Sequence, residues 1–254
     1  MLQSNTVLPV LQATSTRTAV RNSLLAGLPA LQRRKLLEHG QLLDLDAGAS
    51  LSKPGTDIAH VYFPVDCIVT QVAAARGGLE LEVGLVGNEG MLGITLMLGI
   101  PVAPMRWLVQ SAGRAWQFEA AVFLREVARS PELRHTLDRY LYVLLVQLTQ
   151  NAICKRFHVV EARLALWLLM TRDRAHADHF RITHENLAHT MGVRRAGITR
   201  AASTLQRRKI IQYNRGDLHI LDADALEAAS CGCYRADNDI YARVMGQLPN
   251  QRGS

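Results

Sequence analysis

The chain has 254 residues, of which 48% are hydrophobic and 20% are charged, and its formal net charge at pH 7 is +7. This composition supplies enough apolar side chains for packed cores and excludes wholesale disorder. The longest apolar runs, 141–146 and 164–170, are too short to cross a bilayer, and four cysteines in a chain of this length do not make a disulfide scaffold. The N-terminus does not show a signal-peptide pattern, so we expect a cytoplasmic protein without membrane contact.

The first half of the chain is predicted to hold a β-rich domain. Residues 1–21 are expected to form a loosely held arm, and the leucine-rich residues 22–40 a short helical region. From about 41 to 118, short β-prone runs alternate with turn signals, which is typical of a sandwich, barrel or roll. The turn signals include Lys53-Pro54-Gly55, Arg76-Gly77-Gly78 and Gly87-Asn88-Glu89-Gly90.

A long helix is predicted over residues 130–156. Ser130 suits the N-cap and Pro131 the first helical position, and residues 132–156 contain no glycine or proline. Four leucines follow one another at spacings of 4, 3 and 4 residues: Leu137, Leu141, Leu144 and Leu148. This spacing predicts a short coiled-coil seam across a homodimer, although a helix packed on its own domain would also fit it.

The segment 182–221 predicts a winged helix-turn-helix. Thr183 suits the cap of a first helix, which must stop at Gly192. A second helix is expected over about 194–208, followed by two short strands around the turn at Arg215. The residues expected to contact DNA are Thr183, Arg194, Arg195, Thr199, Arg200 and Arg215. Arginine forks suit guanine edges, and a residue at the tip of the wing suits a phosphate.

The positive charge is concentrated in the same segment. Residues 181–215 contain eight basic residues and one acidic residue, Glu185, so this stretch alone holds a net charge of +7. The rest of the chain is close to neutral. A confined basic patch predicts a surface that binds a polyanion, here double-stranded DNA.

With these motifs in place, the chain resembles the Crp/Fnr family of bacterial regulators over about residues 22–234. The first half carries Val61-Tyr62-Phe63, Val86-Gly87-Asn88-Glu89-Gly90 and Leu92-Gly93, and the second carries Gly192-Val193 and Arg194-Arg195-Ala196-Gly197-Ile198-Thr199-Arg200. The resemblance implies an α+β chain with five parts: an arm (1–21), a cyclic-nucleotide-binding-like β-roll sensor domain (22–129), a dimerisation helix (130–156), a winged helix-turn-helix domain (157–234) and a C-terminal tail (235–254). It further implies a homodimer on a near-palindromic operator, with RNA polymerase as a candidate partner.

Two departures from the family affect the expected effector. Members that bind a cyclic nucleotide hold the ribose with a Gly-Glu-Leu segment and the phosphate with a later Arg-Ser or Arg-Thr pair. The first segment corresponds here to Gly93-Ile94-Thr95, and the later arginine, Arg106, precedes Trp107. Because Ile94 cannot accept a hydrogen bond, we expect a degenerate effector pocket that does not bind cyclic AMP. The effector is left unidentified, and the alternative function is that of a ligand- or redox-sensing protein whose main role is effector or partner binding.

Catalysis and cofactors are not expected. No nucleophile elbow, phosphate-binding Walker loop or dinucleotide fingerprint occurs in the sequence. Family members that carry an iron–sulfur cluster hold it with cysteines near the N-terminus, and no cysteine precedes Cys67 here, which excludes this kind of cluster. His60 would be the ligand of a haem, but we favour an ordinary surface or core histidine at this position. Cys231-Gly232-Cys233 is the open chemical question, because with Cys154 or His158 it would form a redox pair or a metal site. Its spacing differs from common zinc motifs, so we favour a structural role and keep Cys154, Cys231 and Cys233 as redox candidates.

Overall fold

The computed structural model describes residues 22–74 and 80–246. The expected arm over 1–21, the expected turn at Gly77-Gly78 and the end of the chain from 247 onward lie outside the described residues.

Two antiparallel sheets form the first half of the protein, preceded by helices α1 (Ser23–Ala26) and α2 (Ala30–Leu37). The strand orders are β1-β7-β3 in one sheet and β2-β6-β4-β5 in the other. The strands are β1 (Gln41–Leu45), β2 (Ser50–Ser52), β3 (His60–Pro64), β4 (Ile68–Ala74), β5 (Glu80–Val86), β6 (Arg106–Ser111) and β7 (Gly113–Glu119). A short 3₁₀ helix (Ile94–Leu98) lies between β5 and β6. The β-rich domain predicted from the turn signals and the β-roll implied by the resemblance are confirmed, as is the α+β class.

Aromatic side chains fill the centre of this roll. Phe63 on β3 packs edge-on against Phe118 on β7, with 5.6 Å between ring centroids, and also contacts Phe123 of the next helix, α3 (Ala120–Arg129). All three rings are fully buried. The burial of large apolar surface here is what holds the sheets and α3 together as one core.

Helix α4 (Pro131–Phe157) follows at once and begins as predicted. Ser130 is its N-cap, and the Ser130 hydroxyl accepts a hydrogen bond of 3.2 Å from the Leu133 N–H. The 27-residue helix crosses from the roll to the second half of the chain.

The expected leucine seam of α4 requires a correction. Leu137 is fully buried in the core of the roll, so it is not available to a partner helix. Leu141 and Leu144 are partly buried against the same core, and of the four leucines Leu148 alone is exposed, at 49%. The spacing identified an apolar side of the helix correctly, but this side mostly faces the protein's own roll.

Four helices and a small sheet follow α5 (Val160–Ala175) in the second half. They are β8 (His179–Arg181), α6 (His184–Met191), α7 (Arg195–Arg207), β9 (Ile211–Asn214), β10 (Asp217–Ile220), α8 (Ala223–Ala229) and α9 (Cys233–Met245). The sheet order is β8-β10-β9, so β8 adds a third strand to the predicted hairpin. The described part of the segment expected as a tail from 235 is helical up to Met245, because α9 begins at Cys233 and packs on α4, burying Ile240 and Tyr241.

Several contacts fasten the second half to the roll. Arg174 on α5 forms a nearly buried ion pair with Glu89, with 2.9 Å between Nε and Oε1. Tyr241 on α9 donates a hydrogen bond of 2.6 Å to the Glu89 carbonyl oxygen. Across the described residues, no helix is both long enough and apolar enough to span a membrane.

Candidate nucleic-acid interface and effector cavity

The helix-turn-helix is built as its sequence predicts. The Thr183 hydroxyl caps α6 by accepting a 3.1 Å hydrogen bond from the Asn186 N–H. Gly192 ends α6 with a φ of 64°, the left-handed conformation that glycine adopts without strain. The inward side of α7 is buried in the second core, through Ile198, Ala201, Ala202 and Leu205. The small alanines let α7 approach its neighbours closely.

All six residues proposed to contact DNA are exposed on this domain. Arg194 is the N-cap of α7, and Arg195, Thr199 and Arg200 lie in its first two turns. Arg215 occupies the tip of the β9–β10 wing with a φ of 49°. Thr183 lies beside the wing, since a Cβ built on Gly216 would come within 3.8 Å of its Cγ2.

A chain of side-chain contacts connects α7 to the wing. The Thr199 hydroxyl lies 3.1 Å from Nδ1 of His184, the first residue of α6. The His184 ring stacks on Tyr213 of β9 with 4.5 Å between centroids, and Tyr213 donates a 2.6 Å hydrogen bond to the Ile182 carbonyl. Burial and the nearby positive charge of Arg195 lower the pKa of His184, which favours the neutral form of its ring. The first turns of α7, the start of α6 and the wing therefore form one surface with a fixed geometry.

The arginines of this surface differ in their pairing. Arg195 lies 3.7 Å from the Glu185 carboxylate of α6. Within residues 22–74 and 80–246, no acidic group lies within 4.0 Å of Arg194, Arg200 or Arg215. Three exposed cations without acidic partners on one rigid face leave their charge available to a polyanion.

A cavity of about 340 Å³ lies between the roll and α4 and extends to the second half of the chain. Its lining includes Gly93, Ile94 and Thr95, which were assigned to an effector pocket from the sequence, together with Leu141 and Leu144 of α4. Trp167 and Met191 line it from the second half of the chain. A molecule bound here would touch the roll, the long helix and the second half of the chain at once.

Arg106 does not belong to this pocket, which corrects the expectation. Its side chain lies outside the cavity lining, and its Nη2 lies 2.5 Å from the Glu80 carboxylate. The neighbour that follows it, Trp107, faces the cavity instead. The cation that a cyclic phosphate would need is thus already neutralised by a carboxylate.

Sequence reasoning missed Glu82, a carboxylate at the boundary of the two halves. It lines the cavity and accepts hydrogen bonds from Thr70 Oγ1 at 2.7 Å and from Trp167 Nε1 at 2.9 Å. Burial raises its pKa to about 7, against the opposing effect of these hydrogen bonds. An acid in a short β-prone run has no sequence signal that distinguishes it from an exposed one.

The structure also brings together the cysteines singled out above. Cys154, Cys231 and Cys233 are buried and adjoin His158. Cys67 lies elsewhere, in the core of the roll.

Residues 162–229 match the family described as the Crp-like helix-turn-helix domain. Among solved structures, the chain is similar to a putative Crp/Fnr-family transcriptional regulator from Eubacterium rectale (17% identity, TM-score 0.59, covering 81% of this chain and 96% of that one). It is also similar to a CRP-family transcriptional regulator from Thermus thermophilus (16% identity, TM-score 0.62, covering 74% of this chain and 96% of that one). A third similar structure is FixK2 from Bradyrhizobium japonicum (12% identity, TM-score 0.61, covering 76% of this chain and 98% of that one). No curated protein sequence matches the chain significantly. At these identities the solved structures establish the fold, and this fold is the one that the resemblance predicted.

Proposed function

Because the chain has the fold of the Crp/Fnr regulators and carries a Crp-like helix-turn-helix domain, we propose that it is a transcriptional regulator that binds operator DNA as a homodimer. The observation that carries this proposal is the exposed arginine surface formed by the start of α7 and the tip of the wing. The N-terminal part of a recognition helix is where base contacts concentrate in this kind of domain. Arg195, Thr199 and Arg200 would contact base edges, and Thr183, Arg194 and Arg215 would contact phosphates.

The dimer is proposed to form along the exposed side of α4. Tyr142, Leu145, Leu148 and Ile153 are 52%, 58%, 49% and 42% exposed and lie along one region of the helix. Large apolar side chains grouped on one long helix are typical of a helix–helix interface. A second copy of α4 related by a two-fold axis would cover them and would present two recognition helices to successive major grooves, about 34 Å apart.

The cavity beside Ile94 is proposed to be the effector site, with cyclic AMP excluded as its ligand. The lining supplies apolar surface from α4 and the roll, while Arg106 is occupied by Glu80. Hydrogen bonding of Trp167 to Glu82 ties the cavity wall to the DNA-binding half, which supports an effect of ligand on DNA affinity. We place the protein in the cytoplasm with its DNA, and RNA polymerase is the further partner to test.

Selection of bound sequences from random double-stranded DNA by the purified full-length protein tests the proposal. The expected product is a near-palindromic motif whose half-sites are about one helical turn apart. Its affinity is expected to fall steeply with salt, because neutralised phosphates release counterions. Enrichment of no motif, together with binding that does not depend on sequence, would contradict the proposal and would favour a protein whose main role is effector or partner binding.

A further inference from the structure

Four side chains that bind metals well meet where the end of α4 packs against the start of α9. Cys154 lies near the end of α4 and His158 is its C-cap. Cys231 lies just before α9 and Cys233 is its first residue. The three Sγ atoms and one imidazole nitrogen all lie within 4.8 Å of one another.

The separations match those between ligands of one tetrahedral ion. Cys154 Sγ lies 3.6 Å from Cys231 Sγ, and Cys233 Sγ lies 3.4 Å from His158 Nδ1. Zinc bonds of about 2.3 Å to sulfur and about 2.0–2.1 Å to nitrogen place neighbouring tetrahedral ligands roughly 3.5–3.8 Å apart. Ligand atoms grouped this closely suit a single ion and leave no room among them for a polynuclear iron–sulfur cluster.

The surroundings suit thiolates. Cys154, Cys231 and Cys233 are at most 8% exposed, and Ala162 and Leu166 pack against them. The Gln150 side-chain amide donates a 3.0 Å hydrogen bond to Cys233 Sγ. N–H···S bonds of this kind stabilise and orient metal-bound thiolates. The cavity borders Cys154 and Cys233, which gives an ion a path to the site.

We propose that Cys154, His158, Cys231 and Cys233 bind one zinc ion in each protomer. The three thiols lose their protons to solvent as the Zn–S bonds form, and no group is oxidised or reduced. Thiolate and imidazole ligands select Zn²⁺ over magnesium or calcium. Four protein ligands leave no open coordination position, so the ion is structural and fastens the long helix α4 to α9.

Metal analysis of the full-length protein, purified under reducing conditions, tests this proposal. We expect inductively coupled plasma mass spectrometry to find one Zn²⁺ per protomer. After chelation, we expect uptake of one Co²⁺ with the intense visible bands of tetrahedral thiolate coordination. Binding of Zn²⁺ by reduced, metal-free wild-type protein no tighter than micromolar, measured against a competing chelator, would overturn the proposal without any variant.

Matched variants identify the ligands. The double variant Cys231→Ser/Cys233→Ser is expected to lose the metal, whereas Cys67→Ser, which alters an equally buried cysteine outside the cluster, is expected to keep it. Gln150→Leu removes the N–H···S bond and is expected to weaken Zn²⁺ binding about 10–100-fold. Full metal content in the folded double variant would overturn the assignment, as would a Cys154–Cys231 disulfide that persists under reducing conditions with no metal uptake.

Discussion

The Nε atom of Arg195 lies 3.7 Å from a carboxylate oxygen of Glu185, so the first arginine of the recognition helix is paired with an acid of the preceding helix. Their side chains are 69% and 74% exposed. Exposed pairs of this kind are weak and exchange readily. In the proposed complex, a phosphate or a guanine edge would compete directly with Glu185 for the same guanidinium.

Replacing Glu185 with Gln is expected to strengthen DNA binding. The change removes a competitor for Arg195 and a negative charge that the DNA backbone repels. The gain should be about 0.2–1 kcal/mol, which is roughly a 1.5- to 5-fold lower Kd. Fluorescence anisotropy with the selected operator at low and moderate salt checks this. A weaker complex would instead indicate that Glu185 itself accepts a hydrogen bond from a base.

Arg195→Ala and Arg200→Ala should each cost about 1–3 kcal/mol on the preferred operator and should relax its sequence preference. Arg215→Ala, at the tip of the wing, should weaken binding about equally on all sequences, because a phosphate contact does not distinguish bases. Gel-shift titrations on operator and scrambled DNA separate the two effects. The matched control is Arg34→Ala, an equally exposed arginine on α2. Unchanged operator binding by the α7 variants would mean that this helix does not enter the groove as proposed.

The double variant Leu145→Asp/Leu148→Asp is expected to be a folded monomer with reduced operator affinity. Both leucines are about half exposed in the protomer, so the substitutions spare its core but place carboxylates in the proposed interface. Sedimentation velocity gives the oligomeric state and circular dichroism the folded content. Leu31→Asp, on the 55% exposed leucine of α2, is the control and should leave the dimer intact. A stable dimer in the double variant would place the interface on another surface.

Cyclic AMP is expected not to bind at physiologically useful concentrations. Ile94 supplies no acceptor for the ribose, and the guanidinium of Arg106 is paired with Glu80. Each polar ligand group left unpaired in a closed pocket costs about 1–3 kcal/mol of binding free energy. Because about 1.4 kcal/mol corresponds to a tenfold change in Kd, two or three unpaired groups raise a micromolar Kd to the millimolar range. Calorimetry is the measurement. A micromolar Kd accompanied by tighter operator binding would contradict this interpretation of the pocket.

Glu82 is expected to make stability depend on pH. Its pKa is raised from 4.5 to about 7 in the folded protein, so the folded state retains a proton that the unfolded state releases. The contribution of this group is therefore fully present below about pH 4.5 and is lost as pH rises through about 7, with a total of about 3 kcal/mol. Glu82→Gln mimics the protonated form, so its unfolding free energy should exceed that of wild type by more at pH 8 than at pH 5. Urea unfolding at both pH values tests this, and Glu38→Gln, at an exposed glutamate, is the control. If the unfolding free energies of Glu82→Gln and wild type differ by the same amount at pH 5 and pH 8, Glu82 is not a buried, protonated group.

Much of the DNA-binding half was predictable because its features are local in sequence. The cap at Thr183, the stop at Gly192 and the wing turn at Arg215 depend on hydrogen bonds and backbone conformations within a few residues. The same holds for the start of α4 at Ser130. The six proposed DNA contacts all fall within residues 183–215, so a correct prediction of these elements is enough to place them on one domain.

The sequence by itself determined the order of roll, long helix and winged helix-turn-helix, and it located the basic surface. Only the tertiary structure decided which side of α4 faces the roll, because Leu137 and the exposed Leu148 belong to one leucine pattern and differ only in what packs against them. It also decided that Arg106 meets Glu80, 26 residues away, and that Cys154 meets Cys231, 77 residues away. Such pairings depend on how distant elements pack, and the periodicity and motif spacing of a single segment contain no information about its partner.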